Sequence, residues 1–75
     1  SPNLTYEVLG FVDDDLRKQR WRIHGIEVLG TVEQLPRLCR TRRIQEILVA
    51  IPSATREQRQ RILDRCRQTG VPFKT

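Results

Sequence analysis

The 75-residue chain carries 14 Lys+Arg against 9 Asp+Glu, for a net charge of +5 and a pI near 10.2. With 37% hydrophobic and 31% charged residues and a mean hydropathy of −0.54, it has the composition of one small folded domain and not of a disordered tail. No apolar stretch reaches bilayer-crossing length and no leader pattern opens the chain, so these residues are expected to be soluble.

The first predicted strand is Tyr6–Val12, after a connector-like Ser1-Pro2-Asn3; Gly10 inside it marks a weak point or a close approach of another backbone or a ligand. The strand stops at Asp13-Asp14-Asp15. Adjacent carboxylates cannot all aim at one centre and no second acidic cluster follows, so a capped turn is expected there and not a metal site. Leu16–Gly25, with four basic residues around Trp21 and Ile23, is too polar for a strand and reads as a loop with at most a turn of helix. His24 in that loop has no nearby carboxylate or nucleophile to make it an acid/base group. Ile26–Leu29, between Gly25 and Gly30, reads as a short edge strand.

Thr31-Val32-Glu33-Gln34 has capping-box spacing, and Val32, Leu35, Leu38 and Cys39 recur at helical spacing behind it. Pro36 implies that the first turn is irregular or that the regular helix begins at Leu35. Glu46–Ile51 is an unbroken apolar run, predicted to be the central strand, buried on both faces. Pro52-Ser53-Ala54-Thr55 then leads into a helix over Thr55–Gln68, again with Thr-x-x-Gln spacing, which Gly70 ends; Val71–Thr75, with Pro72, is a last strand at an edge.

The basic excess does not by itself point to nucleic acid. The arginines mix with acids on predicted outer helix faces, and the chain holds few aromatic side chains to stack on bases, namely Trp21, Tyr6, Phe11 and Phe73. Cys39 and Cys66 lack metal-ligand spacing and fall on apolar helix stripes, so they read as reduced core thiols. Together the elements form a βαβαβ run, an α/β fold with a parallel sheet and helices in flanking layers. Ligands of such sheets meet the carboxyl ends of the strands. Those ends are Asp13 and Asp14 on one side and Pro52, Ser53, Ala54 and Thr55 on the other, which would place a ribose by a carboxylate and a phosphate near the small-residue turn. The Gly-x-Gly-x-x-Gly cradle of a complete dinucleotide site does not occur in the 75 residues.

Gly10-Phe11-Val12-Asp13-Asp14-Asp15, Arg22 to Gly30 (Arg-Ile-His-Gly-Ile-Glu-Val-Leu-Gly) and Ala50-Ile51-Pro52-Ser53-Ala54 resemble, in order and spacing, the Rossmann-like, CoA-binding-like domain of bacterial polysaccharide-biosynthesis nucleoside-diphosphate-sugar epimerase/4,6-dehydratases. A similar domain precedes polyprenyl-phosphate sugar-phosphate transferases. The resemblance covers essentially the whole chain and implies one partial domain over residues 1–75, lacking the family's first strand and Gly-rich turn. It implies an accessory role within a membrane-anchored parent, on the cytoplasmic side of the bacterial inner membrane. It further implies Asp13 as the ribose-binding acid, Ser53 and Ala54 beside the ligand, and NAD or a related nucleotide or nucleotide-sugar as that ligand. Catalysis belongs to a separate Tyr-x-x-x-Lys domain of the parent, and this chain is expected to be non-catalytic. The alternatives are the equivalent domain of a polyprenyl-phosphate sugar-phosphate transferase and a ligand-free scaffold or interaction module. In Rossmann order the absent strand would lie between Tyr6–Val12 and Glu46–Ile51, so these two are expected to pair directly, with self-association as the second outcome.

Overall fold

The longest element of the computed structural model, which describes residues 5–75, is a helix over Arg56–Thr69, and its ends follow from local chemistry. The Thr55 hydroxyl accepts from the Gln58 amide at 3.1 Å, and the Gln58 side chain accepts from the Thr55 amide at 2.8 Å. At the other end Gly70 takes the left-handed conformation, φ 72°, that stops the helix. This helix is α2. The shorter α1, Leu35–Arg42, follows a 3₁₀ turn at Val32–Gln34, in which the Gln34 side chain accepts from the Thr31 amide at 2.9 Å. Pro36 stands in the first turn of α1, where a missing amide proton costs nothing, and both expected outcomes are met, an irregular 3₁₀ turn and then a regular helix from Leu35.

The strands are β1 (Phe11–Val12), β2 (Arg22–Ile23), β3 (Ile26–Gly30), β4 (Ile47–Leu48) and β5 (Phe73–Lys74). β1 runs parallel to β3 with Phe11 opposite Val28 and Val12 opposite Gly30, while β2 pairs antiparallel with β3. β4 and β5 form a second parallel pair, Ile47 opposite Phe73 and Leu48 opposite Lys74. Four corrections follow. The polar loop contains a real strand, because Arg22 and Ile23 expose both side chains and need no apolar face. His24 and Gly25, at φ 51° and 78°, are the two-residue turn with positive φ that a tight hairpin demands, which gives His24 a backbone role. Ile26–Gly30 is therefore the middle of its sheet and not an edge, with Val28 only 1% exposed. The fourth concerns Tyr6–Val12 and Glu46–Ile51, which do not pair: β1 has its ladder with β3 and β4 its ladder with β5.

Between those two segments lies a groove of about 820 Å³, walled by residues 5–12 and 43–51 and floored by Val32, Leu35, Leu38, Cys39, Ile62 and Cys66. Residues 5–10 join no ladder, and Val8 and Leu9 are each about half exposed. Gly10 lies against the side chain of Leu29, and a Cβ there would overlap it. At one end of the groove Lys74 Nζ donates to the Tyr6 hydroxyl at 2.8 Å and sits 3.2 Å from Glu46, tying the two halves together.

The core joins Val32, Leu35, Cys39 and Cys66, with Ile47, Val49, Ile62 and Phe73 packed against them. The central run is buried on one face only: Ile47 and Val49 turn inward while Leu48 is 54% exposed, because no described element covers the opposite side. Both cysteines are free thiols inside this core, and burial pushes both pKa values up. No helix among the described residues is long and apolar enough to cross a membrane. The connector reading of Ser1-Pro2-Asn3 falls outside the described residues.

Candidate functional site

After Val12 three consecutive carboxylates leave in three directions, each taken by a different donor. Asp13 Oδ1 accepts from the Asp15 amide at 2.9 Å, and its Oδ2 lies 3.5 Å from Lys18 Nζ. Asp14 Oδ1 accepts from the Val32 amide at 2.9 Å, capping the helical start from across the chain, and Asp14 Oδ2 pairs with Arg61 of α2. Asp15 caps the 3₁₀ turn Leu16–Lys18 by accepting from the Arg17 amide, and its two oxygens take the Arg17 guanidinium at 3.0 and 2.9 Å. Gln19 locks the loop by donating to the carbonyls of Asp13 at 2.7 Å and Asp15 at 3.2 Å.

The Arg17 side-chain and amide bonds hold the Asp15 carboxyl at about 2, below its ordinary value of 3.8. A carboxyl with a depressed folded pKa adds stability that is fully present above the unfolded value and lost as pH falls through the folded one. The loop is therefore expected to loosen as pH falls from near 4 toward about 2. Carboxyl carbon NMR should find the Asp15 midpoint at about 2 and, in Arg17→Gln, a midpoint moved back toward 3.8.

The ends of β1 and of the β4 segment border one cavity of about 390 Å³. Asp13, Asp14, Pro52, Ser53 and Ala54 all line it, so five residues that the chain order singled out come together. Thr55 does not line it, and its hydroxyl and amide are consumed by the helix cap. The Ala54 amide is likewise donated, to the Ile51 carbonyl at 3.2 Å, which leaves the small-residue turn with fewer free donors than its sequence offers. The remaining wall is apolar, from Val12, Val32, Ala50, Ile51 and Ile62, with Gln58 and Arg61 at the α2 side. Gln58 and Arg61 were not foreseen. Gln58 was seen only as a capping residue, and Arg61 lies 47 positions from Asp14, so no local spacing signals their meeting.

The cavity presents an apolar wall, a carboxylate oxygen at Asp13 near its rim, and a cation at Arg61. These groups suit binding and orientation of a nucleotide-type molecule. Among the described residues no cluster of three or more His, Cys, Asp and Glu side chains converges to hold a metal ion.

Comparison with known proteins agrees with this chemistry. The profile of a family described as a CoA-binding domain matches residues 1–75. The chain is 33% identical over 66 residues to a probable polysaccharide biosynthesis protein, EpsC, of Bacillus subtilis (strain 168), covering 88% of this chain and 11% of that protein. It is 38% identical over 61 residues to the capsular polysaccharide biosynthesis protein CapD of Staphylococcus aureus, covering 80% of this chain and 10% of that protein. The chain thus spans about a tenth of the length of these curated relatives. No solved structure matches significantly.

Proposed function

Because the chain belongs to the CoA-binding domain family, which matches it over residues 1–75, we propose that it serves as the accessory nucleotide-binding domain of a polysaccharide-biosynthesis enzyme, a nucleoside-diphosphate-sugar epimerase or dehydratase. The parent is held at the cytoplasmic face of a membrane by segments outside these residues. The ligand is NAD or a related nucleotide, and the domain binds it without carrying out the chemistry of the parent. The observation that carries this reading is the meeting of Asp13 and Asp14 with Pro52, Ser53 and Ala54 around one cavity at the strand ends. Parallel sheets receive ligands at that edge because loops leave there and helix starts face it. The resemblance of the strand-end motifs to the epimerase/dehydratase domain, and the names of the two relatives, support the enzyme class.

Within the cavity, Asp13 Oδ2 accepts from a ribose hydroxyl and favours an unphosphorylated ribose, since a 2′-phosphate would meet its negative charge. Lys18, 3.5 Å away, weakens that preference without reversing it. Nitrogen-labelled protein titrated separately with NAD, a UDP-sugar and coenzyme A is expected to shift the amides of Asp13, Ser53 and Ala54 with at least one of them. Asp13→Asn should weaken the response to the ribose-bearing ligand by roughly tenfold, the worth of one charge-assisted hydrogen bond. Unmoved strand-end amides in all three titrations would leave the scaffold reading in place.

A further inference from the structure

Part of the donor set at the small-residue turn is already spent within the chain. The Ala54, Thr55 and Gln58 amides all donate within the chain, to Ile51, Gln58 and Thr55. Among the residues lining the cavity, Arg61 is the cationic side chain, set against the carboxylates Asp13 and Asp14. Arg61 is itself engaged twice, with Asp14 Oδ2 and, at 2.8 Å, with Glu33 Oε1. Those bonds raise its pKa, Asp14 contributing most, so it is cationic at any working pH.

Both acids that hold Arg61 have a second donor. Asp14 Oδ1 keeps the Val32 amide at 2.9 Å, and Glu33 Oε2 keeps Arg65 at 2.5 Å. If Arg61 turns away, neither carboxylate is left without a partner. The Arg61 side chain is also 42% exposed, so its movement strips no buried charge. An ion pair of this kind, half in water and doubly backed, is cheap to exchange.

We infer that Arg61 is the phosphate-recognising side chain of this cavity, held in reserve by Asp14 and Glu33 and released to a phosphoryl group when a nucleotide enters. The inference rests on the nucleotide reading above and adds to it the residue and the exchange by which the phosphate is recognised. A guanidinium offers a phosphate two parallel donors, as it does a carboxylate, so the exchange conserves hydrogen bonds. It also turns Asp14 from a ligand contact into a competitor of the ligand.

ADP and adenosine, titrated in parallel and read at the amides of Asp13 and Ser53, separate the phosphate contribution from that of the nucleoside and ignore binding at other arginine faces. In the unaltered chain ADP should bind about tenfold more tightly than adenosine, the scale of one charge-assisted contact. Arg61→Gln should erase that ratio while leaving adenosine unaffected, and Arg61→Lys should restore part of it. Asp14→Asn should enlarge the ratio, because the amide oxygen still accepts from Val32 while the ionic hold on Arg61 is gone. If Arg61→Gln does not fold, Asp14→Asn and Glu33→Gln decide the matter, each expected to strengthen ADP binding. An ADP-to-adenosine ratio unchanged in these variants would make Arg61 a structural tie between α2 and the start of α1, with the nucleotide reading intact. Strand-end amides that respond to neither compound in the unaltered chain would remove that reading and this inference together.

Discussion

Leu35→Ala is expected to remove about 3 kcal/mol of stability, the typical cost of emptying a buried leucine site. Leu35 is 7% exposed and belongs to the cluster with Val32, Cys39 and Cys66 that joins α1 to α2. A domain of 75 residues holds only about 4 to 11 kcal/mol in all, so this single truncation consumes much of it. Urea unfolding followed by circular dichroism should show a midpoint lowered by about a quarter or more. Leu48→Ala supplies the control: at 54% exposure the same chemical change should cost under about 1 kcal/mol. Equal losses at the two positions would mean that the helices are not packed as described.

Filling the groove between β1 and β4 is expected to have an effect of similar size and opposite sign. Tyr6, Val8, Leu9, Phe11 and Leu48 are 38 to 54% exposed on or beside its walls, a cost in apolar surface that a parallel strand seated there would recover in part. Covering half of each of these five side chains is worth about 1 kcal/mol apiece, while the ordering of the inserted segment is offset by the apolar face that the segment itself buries. An extension at the amino end, consisting of one apolar strand and the crossover helix that parallel neighbours require, should raise Tm by several degrees or more. Two inward-facing lysines placed in that strand should abolish the gain. Without it, the two open edges should make the chain self-associate as concentration rises, which sedimentation equilibrium would register. An unchanged Tm would show that the groove is not a strand site.

The helices were readable because their signals are local: Thr55 with Gln58, Gly70 at the stop, and Pro36 marking Leu35 as the first regular residue. The parallel α/β character was readable too, and β1 with β3 and β4 with β5 realise it. The hairpin was missed because polar Arg22 looks unlike a strand residue when its face is solvent, although two residues ending in glycine between short β-like pairs are a hairpin signal. The expected pairing of Tyr6–Val12 with Glu46–Ile51 fails: β1 takes its ladder with β3 and β4 its ladder with β5, and the groove of about 820 Å³ stands between the two segments. Of the site, the strand-end residues could be picked from the order of elements alone. Arg61 could not, since it reaches Asp14 only after α2 is folded back over the sheet edge.

The most direct test of the strand-end site is to locate a bound nucleotide by intermolecular nuclear Overhauser effects. Ribose protons of ADP or NAD are expected to contact the Val12 methyls and the Ala54 methyl, on opposite sides of the cavity. Contacts confined to the arginine-bearing outer faces of α1 and α2, with none to Val12 or Ala54, would contradict the account.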